Sequence, residues 1–180
     1  MHPSRKKLLI AAAVVVVGGS LVAAATVGNS SGPQPIAIQP GSGSAQLPDA
    51  TGTDPVTGKP VSFSQFRGKP LFINLWASWC PGCNEEAADI TRFVKDHPEV
   101  GFVGVDVQDT VGDAKAFYAK YGWTHLSLFD QDSALGARLG LQGLPTTIVV
   151  DATGRVVANA PGVVTYDSLT AAAKQLTGAQ

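Results

Sequence analysis

The sequence predicts an α/β layered domain built on a mixed β-sheet, and three observations carry that expectation. Apolar runs of strand length alternate with amphipathic stretches of helix length from residue 70 onward. Leu71-Phe72-Ile73-Asn74-Leu75-Trp76 is almost continuously apolar, as expected of a central strand covered on both faces. Near the C-terminus, Thr146 to Val150 and Arg155 to Ala158 flank Asp151-Ala152-Thr153-Gly154, which reads as a hairpin and adds antiparallel pairing to the sheet.

In chain order, residues 1–27 form a leader. Arg5-Lys6-Lys7 precede Leu8 to Val27, twenty residues without a charge. That length spans a bilayer and favours an uncleaved N-terminal anchor. The alternative is a cleaved signal peptide, with Leu8 to Val17 as its apolar core and Ala23-Ala24-Ala25 as its small-residue site. Either way the basic flank stays inside and the remainder is exported, where disulfide chemistry is available. Residues 28–46, nineteen residues of mostly Gly, Ser, Pro and Gln without a charge, read as a flexible linker with an r.m.s. span of roughly 25 Å.

The globular domain is expected over 47–180. That length suits a single core. Without Arg5, Lys6 and Lys7, ten basic residues face fourteen acidic ones, a net charge of −4, and no basic stripe appears. Nucleic acid is therefore not an expected partner. Val56 to Phe63, turning at Gly58-Lys59, suggests an N-terminal β-hairpin, followed by a short turn at Ser64 to Gly68. After the Leu71–Trp76 strand, a helix opening at Cys80 carries Ala87, Ile90, Phe93 and Val94 at helical spacing and stops near Asp96-His97-Pro98. Val100 to Val107 is a strand, Val111 to Tyr121 an amphipathic helix closed by Gly122, and Leu126 to Phe129 a short strand. Ser133 to Leu139 is a short helix with Asp132 as its expected N-cap. Tyr166 to Leu176 is the closing helix.

The chemistry is expected at Trp79-Cys80-Pro81-Gly82-Cys83. These are the only two cysteines in the chain. A bridge between residues three apart closes too small a loop to staple a fold. A strand leading into C-x-x-C at a helix N-terminus places the first thiol where unpaired N–H groups and the positive helix end favour thiolate. Cys80 is thus the candidate nucleophile and Cys83 the resolving thiol. Pro81 suits the first helical turn, and Gly82 is expected to keep the approach to the sulfurs open. Zinc is disfavoured, because it needs four ligands and His2, His97 and His125 lie at no zinc-binding spacing. His125 reads as a loop or edge residue.

These residues carry a family resemblance. Gly68-Lys69-Pro70 leading into Asn74 to Cys83, Gly143-Leu144-Pro145-Thr146, the hairpin at Asp151 to Gly154, and an extra helix-strand unit at about Gln108 to Phe129 together resemble the thioredoxin-like fold. The similarity is to its TlpA/ResA-like group of exported, often membrane-tethered thiol-disulfide oxidoreductases, and it covers about Leu47 to Leu176. The resemblance implies that Pro145 is a cis-proline lying against the C-x-x-C, with the Leu144 backbone free to pair with an extended substrate. From the residues alone, a trans proline opening a strand is favoured, because cis is a minority state; the resemblance reverses that preference. Trp79 is implied to cover the site and shape the approach.

Ordinary thioredoxins carry a buried aspartate six residues before the nucleophile; here that position is Asn74, which cannot shuttle a proton. ResA-like proteins carry a glutamate three residues after the resolving cysteine, and Glu86 matches it. Two readings of Glu86 stay open: proton acceptor for Cys83, or a solvated acid that, with Glu85, complements the helix dipole. The resemblance implies dithiol–disulfide exchange without a cofactor, acting on disulfide-bearing exported proteins such as apocytochromes c and recharged by a membrane redox partner. An oxidase that forms disulfides is the alternative direction. A peroxiredoxin-like peroxidase would need Thr-x-x-Cys, whereas Ala77-Ser78-Trp79 precedes Cys80; a copper-binding dithiol module is a third reading.

Overall fold

The computed structural model describes residues 35–37 and 45–178. The expected anchor, and most of the expected linker, lie outside them. Among the described residues, no helix is long and apolar enough to cross a membrane.

A two-stranded hairpin, β1 (Thr51–Thr53) and β2 (Pro60–Ser62), opens the domain and is followed by a 3₁₀ turn at Phe63–Phe66. The expected hairpin at Val56 to Phe63 is corrected: its first strand lies earlier, and Asp54 to Lys59 form the loop. Asp54 explains the shift, because its carboxylate accepts from the Val56 and Thr57 N–H groups and the Thr57 hydroxyl, folding that stretch into a turn.

The main sheet joins β3 (Leu71–Trp76), β4 (Gly101–Val107), β5 (Leu126–Asp130), β6 (Thr146–Val150) and β7 (Val156–Pro161) in the order β5-β4-β3-β6-β7. β3, β4 and β5 run parallel; β6 is antiparallel to both β3 and β7. Every residue of β3 is buried, as a central strand demands. Its alternation divides two layers. Phe72 and Trp76 join α1 (Pro81–Asp96), α2 (Val111–Tyr121) and α4 (Tyr166–Thr177) on one face. Leu71, Ile73 and Leu75 face the hairpin and the short α3 (Ala134–Arg138) on the other.

α2 starts at a Thr110 cap and ends at Gly122, whose φ of 68° is the left-handed conformation a helix C-terminus uses. α3 departs from expectation. Ser133 occupies its cap position at φ 60° and makes no side-chain cap bond, while the expected Asp132, one residue earlier, accepts from the Ala134 N–H at 3.1 Å. Asp130 supplies the remaining acceptors, taking the Leu135 and Gly136 N–H groups at 3.0 and 2.7 Å. His125 lies in the loop leading into the edge strand β5, as expected, but it does not face solvent. It is buried against Phe102, Trp123 and Tyr118, and burial pushes its pKa down to about 3. Ile36, inside the stretch read as linker, is buried in the helix-side core, an anchor point within the short apolar run Ile36-Ala37-Ile38.

Candidate active site

The end of β3 delivers the site. After Trp76 the chain leaves the sheet, and Cys80 becomes the N-cap of α1 with Pro81 at the first turn. Cys80 and Cys83 are joined in a disulfide with Cα atoms 5.3 Å apart. The Cys83 N–H donates to Cys80 Sγ at 3.1 Å, so the first sulfur receives the helix-end hydrogen bond that the spacing anticipates.

The turn before Cys80 is braced from three sides. Asp109 accepts from the Ser78 N–H at 2.6 Å and the Ser78 hydroxyl at 2.9 Å. The Asn84 amide donates to the Ser78 and Cys80 carbonyls, both at 2.9 Å, while its oxygen accepts from the Tyr121 hydroxyl at 2.8 Å. The Trp79 indole N–H donates to the Gln108 carbonyl at 3.0 Å, holding in place a ring that remains 58% exposed. Sequence reasoning missed Asp109 and Asn84. Asn84 adjoins Cys83 in sequence, but Asp109 lies far from the motif and only the fold brings it there.

The Leu144–Pro145 peptide is cis. Pro145 sits against the first turn of α1: a Cβ on Gly82 would fall 2.9 Å from Pro145 Cδ and 3.2 Å from Val163 Cγ2. Gly82 therefore permits this close packing, a more specific reason than open access to the sulfurs. Neither backbone polar group of Leu144 is hydrogen-bonded among the described residues. Trp79, Cys80, Gln108, Ser133, Leu141 and Leu144 border a groove of about 390 Å³ whose walls carry no charged side chain.

Glu86 does not face solvent. It is 1% exposed, accepting from Asn74 Nδ2 at 2.8 Å and from the Val164 N–H at 2.9 Å. Burial raises its pKa to about 7, outweighing the two hydrogen bonds that pull it down. Asn74 thus occupies the place of an acid by presenting a donor to one. Among the described residues, no cluster of three or more His, Cys, Asp or Glu could hold a metal ion.

A cysteine pair at a helix N-terminus, packed beside a cis-proline on this sheet, defines a thioredoxin-like thiol-disulfide oxidoreductase. Residues 42–176 match the Redoxin family model, and the chain belongs to that family. It is 39% identical over 88 residues to the thiol:disulfide interchange protein DsbE of Allochromatium vinosum, a match covering 48% of each chain. It is 30% identical over 124 residues to the soluble secreted antigen MPT53 of Mycobacterium tuberculosis, covering 68% of this chain and 72% of that one. A DsbF homologue from Corynebacterium diphtheriae superposes with a TM-score of 0.72 at 26% identity, over 82% of this chain and 96% of that structure.

Proposed function

We propose that this protein reduces disulfides in exported proteins by dithiol–disulfide exchange through Cys80 and Cys83. The Cys80 thiolate attacks one sulfur of the substrate disulfide, forming a mixed disulfide and releasing the other as a thiolate that takes a proton from solvent. Cys83 then transfers its proton to Glu86 and attacks Cys80 Sγ. The substrate's second sulfur leaves, and the two electrons lost by the cysteine pair are those the substrate has gained. An external dithiol returns the pair to its reduced form.

The observation that carries this reading is the buried Glu86 on the helix that begins with the cysteine pair, its pKa raised to about 7 and so matched to receiving a thiol proton near neutrality. The direction is supported by the uncharged groove. No Lys, Arg or His lines it beside Cys80, so the thiolate is stabilised chiefly by the helix end. Moderate stabilisation of the thiolate makes a weak oxidant and a useful reductant. The groove and the free Leu144 backbone suit an extended, uncharged substrate segment. The basic, apolar leader supports export, with residues 1–27 as membrane anchor and a membrane redox partner as electron donor.

Equilibrating the protein with glutathione buffers and counting free thiols tests the direction. A potential near the roughly −270 mV of thioredoxin supports reduction. One above about −180 mV assigns it to disulfide formation instead.

A further inference from the structure

Beside the turn that carries Cys80 lies a second buried acid that the exchange steps leave unused. Asp106, in β4, is 0% exposed, and neither of its oxygens accepts a hydrogen bond among the described residues. Its two carboxylate neighbours are well supplied. Asp54 accepts from Val56 N–H, Thr57 N–H, the Thr57 hydroxyl and Ser127 N–H at 2.6–3.1 Å. Asp109 accepts from Ser78 N–H, the Ser78 hydroxyl and Thr110 N–H at 2.6–2.9 Å. Of these acids, Asp106 alone is buried with no donor to support a negative charge, so it is the one on which a proton is favoured. An ionised Asp106 would be a desolvated anion beside two others. Once protonated, it gains a hydroxyl donor of its own.

We infer that Asp106 is a neutral carboxylic acid that hydrogen-bonds the Asp109 carboxylate and, through it, positions Ser78 and the turn bearing Cys80. Asp106 is a positioning residue and touches neither sulfur. The inference rests on the exchange reaction only for its kinetic consequence.

The charges around Asp106 agree with this assignment. Burial is the main cause lifting its pKa to about 8, followed by Asp109 in the loop after β4 and Asp54 in the hairpin loop. Tyr118 of α2 lies within its field, and burial raises the phenol pKa and keeps it neutral. His125, ahead of β5, is likewise held neutral by burial. No Lys or Arg appears among the charges acting on Asp106. When Asp106 ionises, two carboxylates oppose each other, and the hold of Asp109 on Ser78 weakens.

The test is an NMR titration of the oxidised full chain, in which the cysteines do not titrate. The Asp106 carboxyl carbon and the Ser78 amide should titrate together near pH 8. In Asp106→Asn, whose amide donates at every pH, the Ser78 inflection should vanish. In the reduced protein, Asp106→Leu should slow attack on a small disulfide by about tenfold at about pH 6.5, and Asp106→Asn should recover most of that loss. An Asp106 carboxyl titrating below about pH 5 in the wild-type chain overturns the inference even if neither variant folds. A Ser78 inflection that persists in Asp106→Asn, or an Asp106→Leu rate equal to wild type, overturns it as well. Wild-type protein with no exchange activity but a coupled Asp106–Ser78 titration would defeat the proposed function and leave the protonated pair standing.

Discussion

Replacing Glu86 with Gln should change how stability depends on pH, by an amount set by its burial. The folded-state pKa is about 7 against an ordinary 4.5. A raised folded-state pKa means that the native state holds its proton more tightly than the unfolded chain. The stability associated with it is complete below about pH 4.5 and is lost as pH rises through about 7. The rise from 4.5 to about 7 corresponds to about 3 kcal/mol, of which some 2–3 kcal/mol is lost between about pH 5 and pH 8.5. Glu86→Gln titrates in neither state. It places an NH₂ against one of the donors at Asn74 and Val164, so it starts about 1 kcal/mol less stable. It should nevertheless gain on wild type by about 2–3 kcal/mol across that pH range. Urea unfolding of the oxidised proteins at both pH values measures this without interference from thiols. Parallel losses in the two proteins would refute the buried, proton-holding Glu86 and with it its part in resolution. Asp106 loses stability in the same direction, but it is present in both proteins and cancels in the comparison.

At mildly acidic pH, alkylation of the reduced protein should label Cys80 alone, because its sulfur receives the helix-end hydrogen bond; equal labelling of Cys83 in a mass spectrum would remove the role assignment. Gly82→Ala should destabilise the fold by about 1–3 kcal/mol in urea unfolding, since the new methyl meets Pro145 and Val163, and it should slow exchange; unchanged stability would mean that Pro145 does not pack as described.

The layers and the place of the cysteine pair at a helix N-terminus were legible because they rest on local rules. β3 is apolar at nearly every position, α1 has helical spacing and a proline at its first turn, and two cysteines three apart admit few explanations. The helix-strand unit of α2 and β5 was readable for the same reason, through its apolar spacing and its terminal glycine. The misses share a different cause. Thr51-Gly52-Thr53 shows no alternation and becomes a strand only because β2 pairs with it. α3 takes two of its cap bonds from Asp130, farther back than the expected Asp132, which no neighbouring residue announces. His125 is polar in sequence but lies inside a wall of aromatic rings. At the site, the resemblance pointed to Glu86 and Pro145, yet burial of Glu86 beneath Asn74 and Val164 joins residues 12 and 78 positions away. The braces at Asp109 and Asn84 likewise depend on the sheet bringing β4 and α2 up to the turn.

Trapping the mixed disulfide tests the central claim most directly. Reduced Cys83→Ser protein incubated with a disulfide-bonded exported protein, quenched with acid and mapped by mass spectrometry, should yield a covalent adduct through Cys80. Reduced Cys80→Ser should yield none, and wild-type protein should release reduced substrate with its own pair oxidised. No adduct with Cys83→Ser, or an adduct through Cys83 in Cys80→Ser, would contradict an exchange reaction that begins at the N-cap of α1.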